Sequence, residues 1–268
     1  MRITSLFFII SLFFACKEAK KPAPLNAIEK VVNLFENSTY PEALQKVFEA
    51  HGGVKNWKYK RTLSFEIPSE NGISEKQIID LHTRKDILVN GAVAMGFDGA
   101  DIWLLDPEKT YKGDPAFYHN LMFYFYAMPF VFADNGIVYS ETKSIAFDGI
   151  SYPGVKITFN SGVGASSKDE YYVHYNPDTY QMAWLGYTVT YSSGEKSDNV
   201  SWIRYNDWIH VDDVVLAKSI TWHNYDGSSI KEAKKTVRFE AITLSEEAKE
   251  KGYYARPESA AVILGKQK

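Results

Sequence analysis

LMFYFYAMPFVFA, the run Leu121–Ala133, decides how this chain must fold. All of it is apolar or aromatic, so a helix built from it has no face suited to water. It is too short to cross roughly 30 Å of hydrocarbon as a helix, and Pro129 would kink it, which argues against a membrane span. Left in water, it would cost about 1.5–3 kcal/mol for each large side chain. Summed over the run, that exceeds the stability of a typical domain. The run must be surrounded. We therefore expect one apolar helix in the concavity of a curved sheet, where it either plugs the core or also lines or gates a ligand cavity.

The flanking sequence supplies such a sheet. From Arg61 onward apolar residues recur at period two, over Thr62–Ile67, Glu75–His82, Asp86–Val89, Ile102–Leu105, Ile137–Ile145, Val155–Phe159, Glu170–Tyr175, Trp184–Tyr191, Val200–Tyr205, Val214–His223 and Thr236–Leu244. Between them lie turn pairs such as Asn71-Gly72, Asp98-Gly99, Asp148-Gly149 and Asp226-Gly227. Short loops between successive strands make neighbours antiparallel. Upstream, Ile28, Val31, Val32 and Phe35 fall at helical spacing, as do Leu44, Val47, Phe48 and His51. Thr39-Tyr40-Pro41-Glu42 reads as a capping box and Gly52-Gly53 as a helix stop. The class is mainly β (α+β): an antiparallel curved sheet or half-barrel of about ten strands, with N-terminal helices and one apolar helix in the concavity. No βα alternation is present, which excludes a doubly wound nucleotide-binding fold.

The chain has 268 residues, and Lys+Arg 30 against Asp+Glu 33 gives a net charge of -3. That balance offers no electrostatic footprint for DNA or RNA. Met1-Arg2 followed by the apolar run Leu6–Phe14 has the form of an export signal over residues 1–15. The signal ends in Phe13-Phe14-Ala15-Cys16, which resembles the lipobox of bacterial lipoproteins, with Phe13 where an aliphatic residue is usual. The resemblance implies that Cys16, the chain's single cysteine, carries the lipid, palmitate included, that holds the protein on a membrane. Residues 16–27, with Lys17-Glu18-Ala19-Lys20-Lys21-Pro22-Ala23-Pro24, have the composition of a flexible tether, and 28–268 form a single half-barrel domain. Lys17-Glu18 partly resembles the surface-export signal of Bacteroidota lipoproteins, but Ala19 breaks the acidic pair. The implied place is the cell envelope, as an outer-membrane lipoprotein on either the periplasmic or the surface face.

Three motifs carry a wider likeness: His51-Gly52-Gly53 with Trp57; Phe97-Asp98-Gly99-Ala100-Asp101-Ile102-Trp103; and Tyr118-His119-Asn120-Leu121 through Ala127-Met128-Pro129-Phe130. Together they resemble an uncharacterised family of Bacteroidota envelope lipoproteins. The order of helix, meander, inserted helix and meander is more distantly similar to the LolA/LolB-like lipoprotein carriers, whose half-barrel holds acyl chains. That likeness implies a lipid or other apolar small molecule as ligand.

Chemistry-bearing motifs are lacking. The six histidines, His51, His82, His119, His174, His210 and His223, show no metal-ligand spacing. His51 reads as an electrostatic cap of the helix C-terminus, and His174 and His223 as hydrogen-bonded strand residues. No nucleophile elbow, phosphate loop or dinucleotide fingerprint occurs, and no cofactor is implied. Asp207, Asp212, Asp213 and Glu240 could serve a hydrolase of envelope polymers only if two of them, or a histidine and a carboxylate, converged in a cleft. The 18 Tyr, 16 Phe and 6 Trp are the remaining signal. For apolar binding the candidate lining residues are Trp57, Trp103, Phe123, Phe125, Met128, Phe130 and Trp184. Rings on an outer patch would instead make a surface glycan- or partner-binding module. For the anchor, Cys16→Ala is expected to abolish palmitate labelling and release the protein from the membrane fraction; unchanged labelling would refute lipidation.

Overall fold

Period-two alternation becomes antiparallel pairing throughout the computed structural model, which describes residues 40–160 and 166–264. The export signal, Cys16, the tether, the helix expected over Ile28–Phe35 and the Gly162-Val-Gly164 stretch lie outside the described residues. The first strands are β1 (Thr62–Ile67), β2 (Glu75–Asp80), β3 (Asp86–Asn90), β4 (Val93–Phe97) and β5 (Ile102–Leu105). After a helical interlude come β6 (Ile137–Glu141), a small hairpin of β7 (Ile145–Phe147) and β8 (Ile150–Tyr152), then β9 (Gly154–Phe159), β10 (Tyr171–Tyr175) and β11 (Met182–Tyr187). The chain continues through β12 (Ser201–Val211), β13 (Val214–Tyr225), β14 (Ile230–Arg238), β15 (Glu240–Ser245) and β16 (Ala261–Ile263). One sheet has the order β15-β1-β2-β3-β4-β5-β16, the other β14-β13-β12-β11-β10-β9-β6.

Residues 230–245 join the sheets. Only Phe239 separates β14 from β15, and its N–H still donates to Lys218 O at 2.9 Å. Beyond it the register of β15 on β1 shifts between Ser64 and Glu66, and Ala241 takes φ 48°. A bulge of this kind bends a strand. The Thr236–Leu244 run, expected as one strand, is thus two half-strands serving different sheets. Strand β4 escaped the alternation because Gly96 interrupts it. A Cβ there would lie 2.2 Å from Asp86 O and 3.0 Å from the Trp103 ring, so only glycine fits.

The apolar run does lie against both sheets, but not as one helix. It is broken into a helix over Leu121–Tyr126 and a 3₁₀ turn over Phe130–Ala133. Pro129 is the cause, since it has no N–H to give to the carbonyl four residues back, that of Phe125. Tyr205 supplies the donor instead, its hydroxyl reaching Phe125 O at 2.7 Å. The hydroxyls of Tyr139 and Tyr40 likewise donate to Phe132 O at 2.7 Å and Ala133 O at 3.2 Å. Phe130 stacks on Trp57, with centroids 4.8 Å apart and planes 7° apart, and Tyr126 packs between Phe65 and Phe239.

The N-terminal helix spans Glu42–Ala50 and buries Leu44, Val47 and Phe48, as its periodicity predicts. Its N-cap is Pro41, without a side-chain cap; Thr39, on which the expected capping box depends, lies outside the described residues. Gly53 N–H closes on Phe48 O at 2.8 Å, which ends the helix with Gly52 at φ +96°. His51 corrects another expectation. It is fully buried, its Nδ1 3.1 Å from Val215 O and its Nε2 accepting from Met182 N–H at 3.0 Å. Burial lowers its pKa to about 4, so it is a neutral bridge between β11 and β13 and not a cationic cap.

Two predictions follow from these contacts. Tyr205→Phe strands the Phe125 carbonyl in the core and is expected to cost about 1–3 kcal/mol in urea unfolding; an unchanged midpoint would contradict the role given to that hydroxyl. His51 and His174 both have pKa values lowered to about 4, mainly by burial. The folded state then binds fewer protons than the unfolded state, so stability is full above about pH 6.5 and falls as pH drops toward 4. Between pH 7 and pH 5 the loss is expected to be roughly 2 kcal/mol for each histidine, and His51→Gln should remove its share of that slope.

Candidate functional site

The apolar run fills the curve of the sheets unevenly. Around Phe130 and Tyr126 the packing is closed, but at Leu121, Met122 and Phe125 the second sheet stands off and leaves an open cleft of about 470 Å³. Its floor is Met122, Phe125 and Val237, and its walls are Tyr171, Tyr187 and Trp222, the inward-facing residues of β10, β11 and β13. Phe117 and Tyr118 close one side from the short helix Pro115–Tyr118, whose N-terminus is capped by Asp114. That volume lies within the roughly 300–1,000 Å³ of small-molecule sites.

The aromatic walls are packed on one another and uncharged. Phe125 meets Tyr187 at 5.1 Å and the edge of Trp222 at 5.6 Å, while Trp222 Nε1–H donates to the Tyr187 hydroxyl at 2.9 Å. Burial raises the pKa of Tyr171 and Tyr187 above the ordinary phenol value, which keeps both hydroxyls protonated. Among the described residues the one carboxylate in the lining is Asp169, which accepts from Thr190 N–H and Oγ at 2.6 Å each. Lys234 and Lys235 stand exposed at the margin.

On the other side of Tyr118 a smaller cavity of about 250 Å³ is lined by Glu75, Leu88, Asn90, Val93, Met95, Thr110 and Tyr111. Glu75 is buried, and desolvation raises its pKa despite hydrogen bonds from Gln77 Nε2 at 2.7 Å and Tyr118 Oη at 3.0 Å.

Of the residues singled out in the sequence, Phe125 lines the larger cleft. Trp57, Met128 and Phe130 are sealed in the closed part of the core, and Phe123 is buried beneath the Arg84 guanidinium, 5.1 Å from its ring centre. Trp103 is buried in the first sheet against Gly96. Trp184 points the other way from Leu185, into a second cluster with Tyr152 and Trp202 on the outer face, roofed by the β7–β8 hairpin. There Arg204 lies 4.7 Å from the Trp184 ring centre and donates to the Tyr152 hydroxyl at 3.1 Å. Trp184 and Trp202 are therefore buried and offer no glycan platform. Sequence reading missed Leu121, Met122, Tyr171 and Val237 as cleft residues; the phase of each alternation relative to Phe125 was the available signal.

Among Asp207, Asp212, Asp213 and Glu240 none lines either cavity. Asp207 accepts from Ser219 Oγ at 3.0 Å, and Asp212 pairs with Lys60 at 3.2 Å. A histidine–carboxylate pair does exist, His119 Nδ1 with Asp86 Oδ2 at 2.8 Å, but both residues are buried and neither lines either of these two cavities. Among the described residues no helix is long and apolar enough to cross a membrane.

Fold and cleft define the class: an open, mainly β half-barrel with an aromatic-walled cleft at the margin of its filled concavity. The chain belongs to a family of unknown function, DUF6503, whose profile matches residues 4–243. No curated protein matches it. Among solved structures it is similar to a DUF1329 family protein from Desulfovibrio piger (12% identity, 80% of this chain and 98% of that one, TM-score 0.48). It is also similar to a domain described as outer membrane lipoprotein-sorting from Vibrio parahaemolyticus (8% identity, 80% and 95%, TM-score 0.44). A third is a LolA superfamily protein from Nitrosomonas europaea (8% identity, 74% and 92%, TM-score 0.43).

Proposed function

We propose that this protein is an envelope lipoprotein, moored through Cys16, that binds the acyl chain of a lipid or a similar apolar molecule in the cleft beside Phe125. The observation that carries the reading is the cleft itself: a ligand-sized volume walled by Phe125, Tyr171, Tyr187 and Trp222, larger than the cavity beside Glu75. Its physics is burial in a preformed site. Each methylene removed from water contributes about 0.8 kcal/mol. Little of that is lost to rearrangement, because the Trp222–Tyr187 hydrogen bond and the packing of Phe125 hold the walls in place. The aromatic lining tolerates a flexible chain of varied length and has no array of polar groups to select a sugar or peptide.

Fluorescent fatty-acid binding to the full chain tests the reading. Leu121→Trp, which places a larger ring at the half-buried margin, is expected to weaken binding by about tenfold, equivalent to roughly 1.4 kcal/mol, with the thermal midpoint retained. No binding by the parent chain, or undiminished binding by the variant, would overturn it.

A further inference from the structure

The register of β14 on β13 changes between Trp222, opposite Lys235, and His223, opposite Ala233. Lys234 is the extra residue of that bulge. In a regular strand consecutive side chains leave opposite faces, so Lys234 and Lys235 could not both serve one site; the bulge re-aims one of them, and both border the cleft beside Trp222 and Val237. We propose that these two lysines form a clamp for the anionic end of the ligand, so that the cleft selects amphiphiles carrying a carboxylate or phosphate over uncharged chains. The proposal rests on the apolar cleft of the previous section and adds the head group to it.

The charges nearby favour this use. Lys231, on the same strand, is committed to Asp226 at 2.7 Å, and Glu232 accepts from Asn224 at 2.6 Å. Among the described residues Lys234 and Lys235 enter no ion pair. The carboxylate within the cleft, Asp169, keeps its charge while accepting from Thr190, so the lining sets two cations, Lys234 and Lys235, against one anion. Across the strand pair, Trp222 gives its N–H to Tyr187 and so presents only its ring face and edge to the mouth. In a chain of net charge -3, two uncommitted cations side by side at the lip of an apolar cleft make a local exception to the overall charge. An acyl chain lying on Phe125 and Met122 would bring its head group to that lip, with the Lys stems flexible enough to reach it.

The test compares palmitate, hexadecyl phosphate and hexadecanol by competition against a fluorescent fatty acid on the full chain. At low salt either anion is expected to compete about tenfold better than the alcohol, a margin that should shrink as salt screens it. In Lys234→Gln/Lys235→Gln the anion-to-alcohol ratio should fall close to one, whereas Lys231→Gln should keep the parent ratio. Whichever anion competes better identifies the head group favoured, and both results support the clamp. A parent ratio near one, with all three ligands binding, overturns the clamp and leaves the apolar cleft standing. A ratio that persists in the double variant also overturns it. Failure of all three to bind removes the cleft reading and the clamp with it.

Discussion

The whole arrangement depends on hydrogen-bonding the backbone of a segment that nothing but apolar side chains can cover. Leu121–Ala133 has to be buried for its side chains' sake, yet Pro129 breaks its helix and strands carbonyls where water cannot reach. Tyrosine resolves the conflict, because its ring joins an apolar core while its hydroxyl donates. Tyr205 from β12, Tyr139 from β6 and Tyr40 from ahead of the first helix each give that hydroxyl to a carbonyl of the segment. Those bonds tie the insert to the second sheet at two points and to the chain ahead of the first helix at a third, and fix where it can lie.

The position of the break then determines where space is left. The half after Pro129 seats Phe130 on Trp57, and just ahead of the break Tyr126 fills the gap between Phe65 and Phe239 at the place where the strand crosses from one sheet to the other. The start of the segment has no such partner across the curve. Phe125 reaches Tyr187 and Trp222, and the volume outside that contact is the cleft. Plug and cleft wall are therefore two ends of one element.

Much of the fold was legible because alternation and turn pairs are local signals. Strand β1 and strand β5 fall on their expected residues, and the Gly52-Gly53 stop is in place. The parts that were not legible need a partner to be visible. Alternation puts Trp184 and Leu185 on opposite faces but does not say which face is inner; the β7–β8 hairpin over Trp184 decides that. Hydrophobicity alone ranked Trp57 and Phe130 with Phe125, although the first two stack on each other and close their share of the core. His51 looked like a helix cap because its two strand partners are far away in sequence. Nothing in the sequence singles out Lys234 and Lys235, since a bulge exists only in the register of two strands.

The central claim is that a chain-shaped ligand lies between Phe125 and Trp222 while the broken segment stays seated. A crystal structure of the protein grown with an ω-bromo fatty acid addresses it directly, since the bromine's anomalous signal marks the end of the chain. The account predicts a bromine peak within the cleft bounded by Met122, Phe125, Tyr171 and Trp222, with Phe130 still stacked on Trp57. A peak elsewhere on the molecule, or a ligand that enters only by displacing Phe130 from Trp57, would contradict it.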